Sequence, residues 1–153
     1  MDFWYQNYSK PKIRLTTQAS YENGIYNHII TEIGKIPLNK LTQNDLQQFY
    51  SRLKKGGRKW FTEQYGEGLS DRMVRSCHTI CRTALDKAVV EGLITNNPSI
   101  GCKLPSKKER EMQVLTQTEI VRFLIQAKSE GYYEMFLLEL TTGMRRGEIV
   151  GLK

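Results

Sequence analysis

The stretch from about Asp71 to Glu91 limits the possible folds more than any other part of the chain. Projected at the helical period, Met73, Val74, Cys77, Ile80, Cys81, Ala84, Leu85 and Ala88 occupy one side. Arg72, Arg75, Ser76, Thr79, Arg82 and Thr83 occupy the other, with Asp86 the only acid among them. Ser70 stands before it as an N-cap, and Gly92 with Asn97-Pro98 stops it. A merely solvated face would mix both signs more evenly. Guanidinium groups interspersed with hydroxyls suit a phosphate backbone, which is neutralised by cations and positioned by polar side chains.

The rest of the first hundred residues is helical in pattern as well. Tyr21, Ile25, Ile29 and Ile33 lie at i, i+4 spacing, which predicts a helix from about Thr17 to Glu32 that is punctuated by Gly34 and Pro37. Before it, Phe3, Trp4, Tyr5 and Tyr8 are spaced to seat an N-terminal segment on a helical core, and Pro11 is expected to end any helix there. Thr42 and Asp45 form a capping box that opens a further helix with Leu46, Phe49, Tyr50 and Leu53 as its buried stripe. Its other side carries Gln43, Asn44, Gln47, Gln48, Ser51, Lys54 and Lys55. Amides match the donor–acceptor pair on adenine and lysines neutralise phosphates, although an ordinary polar face has the same composition. Gly56-Gly57 ends this helix. Arg58 to Gly68 is then a loop or a small hairpin, with a basic start able to lie against a DNA backbone.

Charge is unevenly shared. The chain of 153 residues holds 23 Lys and Arg against 16 acids. Residues 1–110 account for a balance of +8, whereas residues 111–153 stand at −1. The basic excess therefore belongs to the first part and points to a polyanion partner there. Cys77, Cys81 and Cys102 make an odd count with no disulfide framework, as suits a reducing compartment. Cys77-His78-x-x-Cys81 lacks a second ligand pair and falls on the apolar face, so no metal is expected. No apolar run reaches membrane-spanning length, and no signal peptide opens the chain, so a soluble cytoplasmic protein is expected.

Beyond Cys102 the pattern changes. Lys103-Leu104-Pro105-Ser106-Lys107-Lys108-Glu109-Arg110-Glu111 is charged, has no apolar period and reads as a linker. Thr116 and Glu119 form another capping box, with Ile120, Phe123, Leu124 and Ala127 as the apolar face up to Gly131. Tyr133 to Thr142 is almost wholly apolar, so this helix expects burial on several sides, more than the remaining chain can provide. Partial disorder or association with another copy is therefore expected for residues 112–153. Gly143 closes that helix in the left-handed position, and two arginines, a glutamate and a new apolar run follow. Paired guanidinium groups after a helix end suit a phosphate-binding corner, and equally a solvated connection with an Arg–Glu pair.

The order of these residues resembles a known family. Thr142-Gly143-Met144-Arg145-Arg146-Gly147-Glu148, closed by Gly151-Leu152-Lys153, is similar to the first catalytic box of the tyrosine recombinases, the phage and conjugative-transposon integrases. Leu69-Ser70, Ala88-Val89-Val90-Glu91-Gly92-Leu93-Ile94 and Asn97-Pro98 resemble the core-binding domain of the same family, so the likeness covers nearly the whole chain.

The resemblance implies an all-α, SAM-like helical bundle over residues 1–102, a linker over 103–114, and over 115–153 the first helices of a truncated α+β catalytic domain. It assigns Arg145 to the scissile phosphate and Glu148 to its support. It implies duplex DNA and other recombinase protomers as partners, with no membrane and no small-molecule or metal cofactor. The expected DNA contacts are Gln43, Asn44, Gln47, Lys54, Lys55, Arg58, Ser70, Arg72, Arg75, Ser76, Thr79, Arg82, Lys103, Lys107 and Lys108. In the family a lysine on a β-hairpin, a His-x-x-Arg box, a further His or Trp and a C-terminal tyrosine nucleophile follow the first box. All eight tyrosines here precede Arg145. The expectation is a fragment that binds crossover-type DNA without cutting it, from a parent that cuts through a 3′-phosphotyrosine. The alternative is a non-catalytic DNA-binding transcriptional regulator.

Overall fold

The computed structural model describes residues 1–106 and 111–152, and every regular element among them is helical. The chain divides into two compact units, Met1–Lys108 and Glu109–Lys153.

The first unit is built on four helices. Helix α1 starts as Asp2–Trp4, widens into a π-turn over Tyr5–Ser9 and tightens into a 3-10 turn over Lys10–Lys12. Pro11 does not end it. The proline sits in the first positions of the 3-10 turn, where a missing N–H breaks no helical bond, and the chain turns extended only at Ile13. Helix α2 runs over Leu15–Gly24, a π segment Ile25–Ile29, and Ile30–Ile33. The i, i+4 spacing predicts a plain α-helix here. A strict i, i+4 ladder drifts by about 40° per step in an α-helix. The wider i→i+5 turn rotates less per residue and returns Ile25, Ile29 and Ile33 to one buried line.

Helix α3 (Gln43–Gly56) begins at the capping box read from the sequence. Thr42 N donates to Asp45 Oδ2 at 2.9 Å, and Asp45 N donates to Thr42 Oγ1 at 3.3 Å. Helix α4 (Asp71–Val90) is the long two-faced helix, with Ser70 Oγ accepting from Met73 N. The segment between α3 and α4 contains one helical turn, Thr62–Tyr65, and no hairpin. The stripes of all four helices converge on one core, in which Tyr5, Ile25, Leu46, Phe49, Val74, Cys77 and Ile80 are fully buried. Each buried Val, Leu, Ile or Phe contributes about 1.5–3 kcal/mol. Gly24 marks where α2 presses on α4, since a Cβ there would stand 2.9 Å from Ile80 Cδ1.

The second unit holds α5 (Gln117–Ser129), α6 (Tyr133–Thr142) and the short α7 (Arg146–Val150). Thr116 and Glu119 make the predicted box, with Thr116 N donating to Glu119 Oε2 at 2.7 Å. Phe123 and Phe136 meet edge to face at 4.9 Å between centroids. Ala127 is the one fully buried side chain among this unit's described residues. Met135, Phe136, Leu137 and Leu138 of α6 stay half-buried, short of the burial its composition anticipates.

Candidate nucleic-acid interface

The solvent side of α4 carries the basic stripe, and its members differ in what already holds them. Arg72 is exposed and has no ion pair among the described residues. Arg82 is more than half exposed and approaches Asp86 only at 4.0 Å. Arg75 is half-buried, and its guanidinium donates to the Pro105 carbonyl. Ser76 is half-buried beside it. Thr79 Oγ1 donates to Arg75 O at 3.0 Å, so its proton is committed to the helix and only its lone pairs face outward. Ser70 Oγ accepts from Met73 N as the cap of α4, which leaves its exposed O–H free to donate.

Asp86, the acid among these bases, is more than half exposed, with one oxygen held by Asn97. Asn97 Nδ2 donates to Asp86 Oδ1 at 2.6 Å and to Arg82 O at 3.1 Å. Asn97 Oδ1 accepts from Ser99 N and Ser99 Oγ, which ties the turn after α4 back onto the helix. In the sequence Asn97 stands only as part of the stop after α4 and of the family-like Asn97-Pro98 pair. An Asn-x-Ser turn is recognisable locally, but its reach back to α4 is not.

On α3, Gln43 and Asn44 are exposed, and the Gln43 carboxamide lies over Gly101. Gln47 clamps the backbone of Lys103, donating from Nε2 to Lys103 O at 3.0 Å and accepting at Oε1 from Lys103 N at 2.7 Å. That pairing uses the edge of the Gln47 amide that would match adenine bidentately. Lys54 is ion-paired with Asp71, whereas Lys55 is exposed and has no ion pair among the described residues. Arg58 lies over the Tyr65 ring at 5.4 Å. The Lys103 side chain is exposed. Lys107 and Lys108 lie outside the described residues. The fold therefore gathers Arg72, Ser76, Thr79 and Arg82 along one face, with Gln47 and Arg75 holding the start of the linker beside it.

Behind this face, His78 Nδ1 stands 3.2 Å from Tyr50 Oη in the core. Burial, and then the neighbouring Arg82 and Arg75, push the His78 pKa down. The thiols of Cys77 and Cys81 are pushed up to about 11 and about 12 by burial, which makes them inert core groups. Among the described residues no group of three His, Cys, Asp or Glu side chains could hold a metal ion. No helix among them is long and apolar enough to cross a membrane.

Residues 1–54 match the family described as phage integrase, N-terminal SAM-like domain. The solution NMR structure of a phage integrase SAM-like domain from Moorella thermoacetica is 31% identical, with a TM-score of 0.51 over 72% of this chain and 86% of that one. The chain belongs to the phage integrase family. Two curated relatives extend the likeness past the SAM-like part. A XerC-like tyrosine recombinase of Caldanaerobacter subterraneus is 27% identical over 94% of this chain, and an integrase of Saccharopolyspora erythraea is 26% identical over 98%. The chain spans about a third of the length of each, 35% and 32%.

Within this integrase-family chain, the second unit carries the corner that resembles the first catalytic box. Gly143 adopts the left-handed conformation (φ 68°, ψ 15°) that ends α6. Arg145 follows in extended backbone as the N-cap of α7. Glu148 accepts from Arg145 N at 2.8 Å through Oε2, and its Oε1 lies 3.5 Å from Arg145 Nη1. The Arg145 side chain is 88% exposed, so the guanidinium is oriented by Glu148 while remaining open to an anion.

Proposed function

We propose that this chain is the DNA-gripping part of a site-specific recombinase. Residues 1–102 act as the core-binding domain, 103–114 as the linker, and 115–153 as the start of the catalytic domain. The observation that carries this reading is the solvent face of α4, where Arg72 and Arg82 stand exposed while Asp86 is engaged with Asn97. Arg72 and Arg82 neutralise backbone phosphates. Lys55 and Arg58 extend the positive surface at the end of α3. Such contacts supply affinity through counterion release and are strongly weakened by salt.

Within the family frame, Arg145 holds the scissile phosphate and Glu148 keeps it aimed. An arginine alone stabilises charge on phosphorus but attacks nothing, and these residues include no counterpart of the tyrosine nucleophile. The 153 residues therefore bind crossover-type duplex without cleaving it, and in a full-length parent they serve integration and excision with other protomers.

The test is duplex binding by fluorescence anisotropy across a salt series. The pair Arg72→Glu and Arg82→Glu is expected to lower affinity by about tenfold or more and to reduce the salt slope by about 2. Unchanged affinity overturns the reading. A marked preference for an operator-like site unrelated to any recombination junction favours a transcriptional regulator instead. No covalent adduct is expected on a suicide substrate.

A further inference from the structure

We propose that the loop between α3 and α4 is a second nucleic-acid contact, which stacks the rings of Trp60 and Phe61 on bases of a locally unstacked duplex. The proposal rests on the DNA-binding reading above. Trp60, Phe61 and Tyr65 are 56%, 74% and 61% exposed, in a unit where Tyr5, Phe49 and Tyr50 are buried almost completely. Single exposed apolar side chains are ordinary, but three large rings within six residues of one loop form a patch. Phe61 also takes φ 58° and ψ 36°, a left-handed conformation that a bulky side chain rarely adopts. Its ring stacks on no other ring among the described residues. A strained backbone that holds an unused ring in solvent points to a partner.

The loop is built to keep the rings in place. Arg58 N donates to Glu67 O at 2.8 Å across its base, and Leu69 N donates to Leu53 O at 3.0 Å. Gly68 lies so close to α3 that a Cβ would stand 2.2 Å from Lys54 O. Tyr65 N and Gly66 N close the single turn onto Phe61 O and Thr62 O. Little conformational freedom is left to be lost on binding.

Charge identifies the occupant. The loop springs from the corner where the end of α3 meets the start of α4, joined by the Lys54–Asp71 pair. Lys55, Arg58 and Lys59 lead into it and Arg72 follows Asp71 at the same corner, while Glu63 and Glu67 lie further along the loop, so the bases stand on the Trp60–Phe61 side. Rings interleaved with cations suit nucleic acid, whose bases stack on aromatics and whose steps open to apolar wedges while the cations follow the backbone. An apolar groove on a protein partner would accept the rings but gain nothing from the four bases.

The experiment uses the 153-residue chain, a labelled duplex, and the same duplex with one unpaired nucleotide. Trp60→Ala and Phe61→Asn are expected to weaken binding by about tenfold, most on the bulged duplex. The salt slope should stay unchanged, because no phosphate contact is lost, whereas Lys59→Ala should lower it by about 1. Asparagine tolerates the left-handed backbone, so Phe61→Asn removes the ring without moving the chain. Trp4 is buried and Trp60 is exposed, so DNA should quench the emission of the intact chain and not that of Trp60→Phe. Unchanged affinity of both ring variants, with unquenched emission while the intact chain still binds, overturns the stacking and leaves the α4 interface standing. Ring-dependent binding to phosphatidylserine vesicles in place of duplex overturns it in favour of a membrane surface. Failure of the intact chain to bind any duplex overturns the DNA reading, and this inference with it.

Discussion

Gln47 and Lys103, 56 positions apart, are joined by two hydrogen bonds, with the Gln47 carboxamide donating to the Lys103 carbonyl and accepting from its N–H. Arg75 adds a third tie to the Pro105 carbonyl. The start of the linker is thus laid along α3 and α4 as it leaves the helical bundle.

Gln47→Leu keeps the side chain's bulk and removes both bonds. Because the peptide lies at the surface, the expected loss of stability is small, about 1 kcal/mol. The sharper readout is amide hydrogen exchange, in which Lys103 N–H should lose its protection while the core amides of α4 keep theirs. Unaltered protection at Lys103 would show that the clamp does not persist in solution.

Ser70 was expected to touch DNA, and its Oγ also caps α4 by accepting from Met73 N. Ser70→Ala should lower stability by about 1 kcal/mol and Ser70→Gly by only a few tenths. Thermal unfolding reads the difference. If capping is the whole role, duplex affinity of the folded protein is the same in all three forms.

Acid should destabilise the first unit. His78 and His28 both have pKa values lowered mainly by burial, with Arg82 and Arg75 adding to the effect at His78 and Lys59 at His28. The folded state therefore binds fewer protons than the unfolded state as pH falls through the ordinary histidine value of about 6.5. Stability is fully present above that value and declines from there down through the depressed folded values. Urea midpoints at pH 7.5 and pH 5 should differ in that direction, and His78→Gln should flatten the dependence. A midpoint insensitive to pH across this window would contradict the burial of both rings.

Gly143 should tolerate no ordinary side chain. A Cβ there meets nothing within 4 Å, so the penalty for Gly143→Ala comes from the left-handed backbone alone, about 1–2 kcal/mol. Gly143→Asn should cost less. Hydrogen exchange over residues 133–150 is the measurement, and equal protection in the alanine variant would rule out this corner geometry.

Much of the molecule was legible in its residues because the deciding interactions are local. Thr42 with Asp45, Ser70 with Met73, Thr116 with Glu119 and Gly143 at its helix end each act within one turn, where spacing alone dictates geometry. The stripe on α4 was equally plain, since a 3.6-residue period sorts faces without reference to any neighbour. The Arg145–Glu148 pair stands three residues apart and was open to the same inspection.

Tertiary packing decided the rest. The π-turns in α1 and α2 arise where a row of apolar residues must stay aligned with a core, which no local propensity encodes. Of the polar residues expected on DNA, Gln47 and Arg75 hold the returning chain, Lys54 pairs with Asp71, and Arg72 and Arg82 stay open. The amino-acid pattern determined that α3 and α4 each have a polar side. Only their packing against each other, and the path of residues 97–105 back across them, determined which polar groups meet a peptide and which meet solvent. A hydrogen bond between residues 30 or 56 positions apart depends on where the fold brings them, and a helical period carries no information about that distance.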